Sequence, residues 1–329
     1  MIRRLIVGFA VSVCVLVVLG VSLWAWLLRV PKHAIPQLAG ELRSSSLTVD
    51  GRQRSFTFYV PPRLRVNAPL VLVLHGSMMN GKRMRADTAY AFDEIADREG
   101  FLVAYPNGYG GYWNGCYAVG DYDAKRLGIN DVAFLRTLTD WFRREYKVAA
   151  NEVFAVGASN GGQMCYRLGL EAPDLVRGIA AISSSLPTPE NQTCVASGRP
   201  IATMIVNGTE DPINPYGGGR VALFRIFIQR GNVQSTLATA TYWANLAGHH
   251  GPPEVQDLPD NDPTDGATAT RYRWSNTGPS VVLLAIHGGG HTMPLPNVSG
   301  PRLLGHTCHD FSAPKEIWGF FSAESHRGQ

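Results

Sequence analysis

Short, largely apolar runs recur along the chain, and stretches with apolar residues at helical spacing lie between them. The runs cover residues 70–74, 101–105, 153–156, 178–182, 201–206 and 280–286. Runs of this kind are typical of strands that are covered on both faces of a parallel sheet. Helical spacing is found over residues 87–99, 132–142, 233–247 and 315–321. The alternation predicts an α/β fold with a mostly parallel central sheet and helices on both faces.

Three other patterns complete the predicted elements. Residues 46–49 and 55–60 alternate between apolar and polar side chains around Asp50-Gly51, which predicts a hairpin. Residues 271–274 are a further predicted strand. Residues 251–268 are rich in Pro, Asp and Gly and are predicted to be a solvated surface loop. Four aspartates of this segment loosely resemble calcium ligands, namely Asp257, Asp260, Asp262 and Asp265. We prefer the interpretation as a surface loop and expect no metal.

The start of the chain has a different character. After two arginines, residues 5–28 contain no charged side chain, and this is enough to span about 30 Å of hydrocarbon as a helix. Trp24 and Trp26 lie at the far end, where aromatic rings favour the membrane interface. We therefore predict one transmembrane helix within residues 1–28, with the remaining chain outside the cytoplasm. Secretion after signal cleavage is the alternative, although the end of the apolar run fits a cleavage site poorly.

The domain division and the composition limit the possible functions. Residues 29–44, with Pro31 and Pro36, are a predicted linker, residues 45–322 the α/β domain, and residues 323–329 a tail. Charged residues make up 17% of the 329-residue chain, which excludes a disordered protein. The formal net charge is +4, and Lys and Arg form no dense tract, so we expect no nucleic-acid partner.

The first candidate for chemistry is Ser159. The apolar run 153–156 leads into Gly157-Ala-Ser-Asn-Gly161, and a helical pattern follows. A strand, a tight turn with serine at its apex and a helix form a nucleophile elbow. The glycines at 157 and 161 remove side chains that would clash where strand and helix crowd together. An unreactive serine in a glycine-rich turn is the alternative.

Two backbone N–H groups are predicted to stabilise a substrate oxyanion. Asn160 contributes one, because it begins a helix and a helix N-terminus attracts negative charge. Ser77 is the second, because it follows His75-Gly76 at the end of the run 70–74. A glycine at that point lets a backbone N–H face a ligand. An ordinary turn at the end of a strand is the alternative.

The partners of the serine follow two later strands. Asp211 lies in a Gly/Pro turn after the run 201–206, and Glu210 is its less favoured neighbour. His291 lies beyond three glycines after the run 280–286, and His287, at the strand end, is the competing histidine. Ser159, Asp211 and His291 follow in the order of an α/β-hydrolase triad. In such a triad a neutral histidine takes the serine proton, and the aspartate fixes the histidine tautomer.

Two aromatic residues are predicted to contact substrate. Trp113 lies in a Gly-rich, aromatic loop, residues 106–116, at the same predicted edge as the elbow. It could form a wall of the substrate pocket or anchor the loop on the core, and the sequence leaves both interpretations open. Tyr216, in the turn after Asp211, is the second predicted contact.

Several segments in the same order resemble the polyhydroxybutyrate depolymerase/feruloyl esterase-type family, which is also linked to carbohydrate esterase family 1. These segments are Leu-His-Gly-Ser (74–77), Tyr-Pro-Asn-Gly (105–108), Trp-Asn (113–114), Asn-Asp-Val-Ala-Phe-Leu (130–135), Gly-Ala-Ser-Asn-Gly-Gly (157–162), Gly-Thr-Glu-Asp-Pro (208–212) and Gly-Gly-Gly-His-Thr (288–292). The resemblance covers roughly residues 44–322. It implies an α/β-hydrolase fold, an esterase with the triad above, and no cofactor.

The chain also departs from the family pattern. Ser77 stands where many relatives have cysteine, which a backbone donor tolerates. Met293-Pro294 replaces a Trp-Pro pair that often follows the histidine, and we expect this replacement to alter one wall of the substrate pocket. An N-terminal membrane segment is not a general feature of the family. Members act on polyester, feruloyl, acetyl and small esters, so the resemblance leaves the substrate open.

The cysteines predict crosslinks in an oxidising compartment. Cys14 lies in the apolar N-terminal segment, which leaves an even number: Cys116, Cys165, Cys194 and Cys308. Four cysteines allow three pairings. Cys116 and Cys308 both lie on loops at the predicted catalytic edge, so we favour Cys116–Cys308 and Cys165–Cys194. Free buried thiols are the alternative.

Together these features predict a serine carboxylic-ester hydrolase that works through an acyl-enzyme on feruloyl, acetyl or hydroxyalkanoate-type esters. A serine peptidase on the same fold is one alternative, although no gating domain for peptides is evident. A non-catalytic surface binding protein on a hydrolase scaffold is another. The presence of all three triad residues and both glycine turns argues against it.

Overall fold

The computed structural model describes residues 2–30, 35–222 and 229–327, with side chains from residue 12 onward. Residue 1 of the predicted membrane segment, residues 31–34 of the predicted linker and residues 328–329 of the predicted tail lie outside the described residues.

Among the described residues, ten strands form one sheet, and a separate two-stranded ribbon lies outside it. The strands are β1 (Glu41–Val49), β2 (Arg52–Val60), β3 (Leu70–Leu74), β4 (Leu102–Pro106), β5 (Val153–Ala158), β6 (Gly178–Ile182), β7 (Ala202–Gly208), β8 (Gly219–Arg220), β9 (Asn232–Val233), β10 (Glu254–Asp257), β11 (Thr268–Trp274) and β12 (Val281–His287). The order in the sheet is β1-β2-β4-β3-β5-β6-β7-β12-β11-β10, and β8 pairs with β9. The six central strands in this order, β4, β3, β5, β6, β7 and β12, are parallel to one another. The outer strands on both sides are antiparallel to their neighbours.

Helices cover both faces of this sheet. The α-helices among the described residues are α1 (Ile2–Leu28), α2 (Gly81–Asp87), α3 (Ala91–Glu99), α4 (Asp123–Arg126), α5 (Asp131–Tyr146), α6 (Asn160–Glu171), α7 (Thr236–Leu246) and α8 (Ala313–His326). All of them except α1 and α4 contribute residues to the cores on the two faces of the sheet. On one face the core contains Leu72 of β3 with residues of α5, α6 and α7. On the other it contains Val71 of β3 with residues of α2, α3 and α8. Because successive strand side chains point to opposite faces, one apolar run supplies both cores. The predicted α/β architecture is confirmed.

Several predicted boundaries differ from the structure. The helix predicted over residues 87–99 is α3, which begins only at Ala91, since Ala89 and Tyr90 have φ values of 51° and 60° and lie outside the helical region. A separate helix, α2, precedes it and was not predicted. The predicted loop over residues 251–268 contains β10, which extends the sheet by one edge strand. β1 begins inside the predicted linker, and α8 continues into the predicted tail.

The N-terminal helix α1 has largely exposed side chains over residues 12–28. Over the part of the chain that the structure describes, no helix combines the length and the apolar character needed to cross a membrane. The transmembrane helix predicted for residues 1–28 finds no support in this result.

One disulfide, Cys116–Cys194, joins the loop after β4 to the segment after β6. The predicted pairs Cys116–Cys308 and Cys165–Cys194 are therefore wrong. Cys308 lies in the core on the opposite face of the sheet from Cys116, so the sheet separates the two sulfurs. Cys165 and Cys308 are buried free thiols, as the alternative interpretation allowed for these two residues.

This crosslink predicts a measurable share of the stability. The two cysteines are 78 positions apart, and closing a loop of this length restricts the unfolded chain. We expect the double variant Cys116→Ser/Cys194→Ser to lower the free energy of unfolding by about 2–4 kcal/mol in urea titrations. Cys14→Ser, which replaces an exposed thiol, is the matched control and leaves the midpoint unchanged. An unchanged midpoint in the double variant contradicts this prediction.

Candidate active site

Ser159 lies at a strained turn between β5 and α6. Its φ of 54° and ψ of −117° lie outside the usual regions for a residue with a side chain, as expected of a nucleophile elbow. A Cβ on Gly157 would lie 2.2 Å from the Gly161 carbonyl, and a Cβ on Gly161 would lie 2.3 Å from the Leu74 oxygen. Only glycine fits at either position. The turn therefore holds Ser159 at the carboxyl edge of the parallel strands.

Asp211 and His291 form a hydrogen-bonded pair at the same edge of the sheet. Asp211 Oδ2 lies 2.7 Å from His291 Nδ1, and both side chains are at least nine-tenths buried. Asp211 Oδ1 accepts two further hydrogen bonds, from the backbone N–H groups of Ile213 and Asn214, each 2.8 Å long. The carboxylate is therefore fixed on one side by the backbone, and its other oxygen is directed at the imidazole.

The lack of a side chain on Gly208, the last residue of β7, lets the loop before His291 pack against the end of that strand. A Cβ on Gly208 would lie 2.2 Å from the Gly289 oxygen, and the same oxygen accepts a hydrogen bond from the Glu210 N–H. The Glu210 side chain is exposed. The competing histidine, His287, contacts Thr270 Oγ1 through Nε2 at 2.9 Å. The Asp211 carboxylate thus pairs with His291, and neither less favoured alternative joins this pair.

Ser159 and the His291–Asp211 pair follow β5, β12 and β7, whose carboxyl ends lie at one edge. In the described part of the chain, no hydrogen bond joins the Ser159 hydroxyl to the imidazole. The loop of His291 lies close to the end of β6, the strand that pairs with β5. Ser183, directly after β6, contacts the Thr292 carbonyl through its Oγ at 3.5 Å. The Ser159 N–H in turn donates to the Ile182 carbonyl of β6.

The turn that carries Ser77 is held by the imidazole of His75. His75 Nε2 accepts a hydrogen bond from the Gly108 N–H (2.8 Å), so its proton is on Nδ1, which donates to the Gly76 carbonyl (2.7 Å). That carbonyl and the Ser77 N–H belong to one planar trans peptide and point in opposite directions. Binding the carbonyl therefore also orients the N–H that is predicted to face an oxyanion.

Comparisons with known proteins place this geometry in context. The chain is 29% identical over 273 residues to "Putative esterase NocK" of Nocardia uniformis subsp. tsuyamanensis, covering 80% of this chain and 77% of that protein. It is 26% identical to "Acetylxylan esterase A" of Talaromyces purpureogenus, covering 72% of this chain and 63% of the relative. It is 23% identical to "Poly(3-hydroxyalkanoate) depolymerase C" of Paucimonas lemoignei, with 75% and 60% covered. The chain thus spans less than two thirds of the latter two. No family profile matches it.

Among solved structures, "Acetyl xylan esterase from Aspergillus awamori" superimposes with a TM-score of 0.58 over 86% of this chain and 99% of that one. At 17% identity this likeness shows the fold, an α/β-hydrolase fold. The chain is thus similar in sequence to several proteins named as esterases, and it shares the fold of this acetyl xylan esterase. The resemblance to the polyhydroxybutyrate depolymerase/feruloyl esterase-type family is thereby confirmed, and the protein is an esterase.

In this esterase Trp113 is fully buried and is hydrogen-bonded to both predicted oxyanion segments. Its indole N–H donates to the His75 carbonyl, and its backbone bonds the Asn160 side chain in both directions. The ring has no exposed surface that a substrate could contact. The structure thus fits the loop-anchor interpretation and not the pocket wall.

The second predicted substrate contact, Tyr216, is half-buried, and its carbonyl accepts the N–H of Thr236 at the start of α7. Its role stays a prediction. A cavity of about 580 Å³ lies at the amino ends of β3 and β5, lined in part by Arg65, Glu152 and Trp318. None of the predicted site residues lines this cavity.

Two supporting features of the esterase site were missed in the sequence. One is the His75 imidazole, although its position directly after a buried strand is visible in the sequence. The other is a buried ion pair between Arg54 and Asp131, with 2.6 Å between Nη2 and Oδ1. Asp131 Oδ2 also accepts the Asn114 N–H, so the pair fastens the loop that carries Trp113. The N-cap of α5 is Asn130, which frees Asp131 for this interaction.

The buried imidazole predicts a pH-dependent stability. Burial lowers the pKa of His75 to about 4, whereas the unfolded chain binds this proton below about pH 6.5. Between these values the unfolded state binds more protons, so the free energy of unfolding falls as the pH decreases. We expect urea titrations to show that the free energy of unfolding of the wild type, relative to that of His75→Gln, falls by about 3 kcal/mol between pH 7 and pH 4.

The comparison with His75→Gln isolates this effect. Burial raises the pKa of Asp93 to about 6, which acts on the slope in the opposite direction but is present in both proteins. If the free energy of unfolding changed with pH by the same amount in both proteins, His75 would not be held neutral in the folded state.

Proposed function

We propose that this esterase is a serine carboxylic-ester hydrolase with Ser159 as nucleophile, His291 as general base and Asp211 as the orienting acid. The observation that carries the proposal is the strained elbow of Ser159 at the same sheet edge as the hydrogen-bonded His291–Asp211 pair. Strained backbone of this kind is concentrated at functional sites. Because the strained residue is a serine and a hydrogen-bonded His–Asp pair lies at the same edge, the arrangement supports nucleophilic chemistry.

In the proposed reaction the Ser159 Oγ attacks the ester carbonyl carbon while His291 Nε2 takes the hydroxyl proton. Asp211 keeps the other imidazole proton on Nδ1 and stabilises the imidazolium. His291 then gives its proton to the leaving alcohol, and the acyl-enzyme forms. Water, deprotonated by His291, reverses these steps and releases the acid. Without substrate, hydrogen bonds between a nucleophile and its base are often long, so the hydroxyl need not contact the imidazole beforehand.

The developing negative charge on the carbonyl oxygen needs two donors. We assign the Ser77 and Asn160 N–H groups to this oxyanion hole, since one belongs to the peptide that His75 orients and the other begins α6. Fixed donors of this kind contribute a large part of the rate enhancement in acyl transfer.

Acetyl, feruloyl and hydroxyalkanoate esters are the proposed substrate classes. The names of the relatives include acetylxylan esterase, feruloyl esterase and polyhydroxyalkanoate depolymerase. The Cys116–Cys194 disulfide supports work outside the cytoplasm, because such bonds persist in oxidising compartments.

A substrate panel tests the proposal on the full-length protein. The panel contains p-nitrophenyl acetate, methyl ferulate, an acetylated xylo-oligosaccharide, a hydroxybutyrate oligomer and a peptide anilide. We expect turnover of esters from at least one of the three classes and little cleavage of the anilide. Anilide cleavage at a rate comparable with the esters would favour a peptidase. A folded protein that hydrolyses none of the esters would contradict the proposal.

A further inference from the structure

We propose that Trp113 is a positioning residue for the oxyanion hole, because it joins the two chain segments that carry the donors. The proposal rests on the function proposed above, in which those donors are the Ser77 and Asn160 N–H groups. Trp113 does not contact the substrate in this account. It acts through Asn160 on one side and through His75 on the other.

The first connection runs from the Trp113 backbone to the Asn160 side chain. The Trp113 N–H donates to Asn160 Oδ1 (2.6 Å), and Asn160 Nδ2 donates to the Trp113 carbonyl (3.0 Å). The side-chain amide of Asn160 thus bonds both the N–H and the carbonyl of Trp113, as a neighbouring β-strand would. Asn160 is only 1% exposed, so no water competes for these bonds. The first residue of α6, and with it its backbone N–H, is held against the loop.

The second connection runs from the indole to the turn after β3. Trp113 Nε1 donates to the His75 carbonyl at 3.0 Å, and the indole and imidazole centroids are 5.1 Å apart. This bond fixes the peptide that joins His75 to Gly76. The His75 Nδ1–H fixes the next peptide, which contains the Ser77 N–H. Two successive peptides of the turn are therefore oriented by the indole and the imidazole together.

The loop around Trp113 is itself fastened at several points. The Asn114 N–H donates to Asp131 within the buried ion pair, and the Gly108 N–H donates to His75. Cys116 is crosslinked to Cys194. Trp113 can therefore serve as a fixed reference for both donor segments. This matters because oxyanion donors act only when they are aimed at the developing charge without reorganisation.

The test is Trp113→Phe in the full-length protein. The variant keeps an aromatic ring and the backbone bonds to Asn160 but loses the N–H that binds the His75 carbonyl. We expect kcat for p-nitrophenyl acetate to fall by about 10- to 100-fold, which is less than the loss of a whole donor. KM should change by no more than about twofold, because ground-state binding is not involved.

An oxyanion mimic gives a second readout that a merely structural role would not move. A trifluoromethyl ketone accepts the Ser159 Oγ at its carbonyl carbon, and its oxygen becomes the alkoxide in the hole while His291 holds the proton. We expect the affinity of Trp113→Phe for this ketone to fall by the same factor as kcat/KM, since both report the filled oxyanion hole.

Trp243→Phe is the matched control. Trp243 is also buried, it stacks on Tyr166, and its indole N–H has no hydrogen-bond partner among the described residues. Its replacement removes a similar volume without touching the turn or the elbow. We expect kcat and ketone affinity to stay at wild-type values.

The outcomes separate cleanly. Unchanged kcat and ketone affinity in folded Trp113→Phe would overturn the proposal, and so would a raised KM with unchanged kcat, which indicates substrate contact. If Trp113→Phe does not fold, Asn160→Ala replaces it, since that variant keeps the backbone N–H but loses the amide that Trp113 holds. It should show the same selective loss of kcat, and an unchanged kcat overturns the proposal. A wild type without esterase turnover would instead refute the proposed function.

Discussion

Ser159→Ala should lower kcat/KM for ester hydrolysis by about 10⁴-fold or more while the protein remains folded. The alanine removes the only atom that can form the acyl-enzyme, and water would have to attack the ester without a covalent intermediate. The left-handed φ of residue 159 is kept in the variant, because Gly157, Gly161 and the surrounding strands impose it. Initial rates of p-nitrophenyl acetate hydrolysis measure the loss of activity, and circular dichroism shows whether the variant is folded.

Ser46→Ala is the control for Ser159→Ala. Ser46 is an exposed serine on β1, at the edge of the sheet and outside the candidate site, so its replacement should leave turnover unchanged. Ester hydrolysis that survives in folded Ser159→Ala would show that another group carries out the reaction.

Asp211→Asn should lower kcat by about 10³- to 10⁴-fold, with a much smaller change in KM. Asp211 Oδ1 accepts the N–H groups of Ile213 and Asn214, so the asparagine oxygen takes this position and its NH₂ faces His291. That NH₂ can bind only an unprotonated Nδ1. The imidazole is then held with its proton on Nε2, and this tautomer cannot accept the serine proton.

Glu210→Gln is the matched control for the acid. Glu210 is adjacent in sequence but exposed, and its side chain lies outside the Asp211–His291 pair. We expect wild-type kcat in Glu210→Gln. A large loss there, combined with a small loss in Asp211→Asn, would reverse the assignment of the acid.

Most of the strands could be predicted, because a central strand that is buried on both faces must consist almost entirely of apolar residues. Every residue of β3 is buried, and only apolar side chains fit both faces of a central strand. The β1–β2 hairpin was predicted by alternation and by the turn at Asp50-Gly51, and Val49 does pair with Arg52. The break between α2 and α3 could not be predicted, because Ala89 and Tyr90 are compatible with a helix. The left-handed backbone that both residues adopt is therefore visible only in the structure.

The site shows the same division between local and long-range information. The glycines of the elbow and the acid after β7 are local patterns, so Ser159 and Asp211 could be named from the sequence. The choice of Cys194 as the partner of Cys116 depends on how two loops cross one face of the sheet, which no spacing reveals. The burial of Trp113 depends on the packing of the loop against His75 and Asn160 in the same way.

The most direct test of the central claim is the reaction of the full-length protein with a fluorophosphonate probe. We expect the Ser159 Oγ to displace fluoride and mass spectrometry to find the phosphonyl group on the peptide containing Ser159. Labelling should disappear in Ser159→Ala and should be slowed in Asp211→Asn, since the nucleophile then lacks its base. A folded wild type that is not labelled, or is labelled at another serine, would contradict the assignment of Ser159 as the nucleophile.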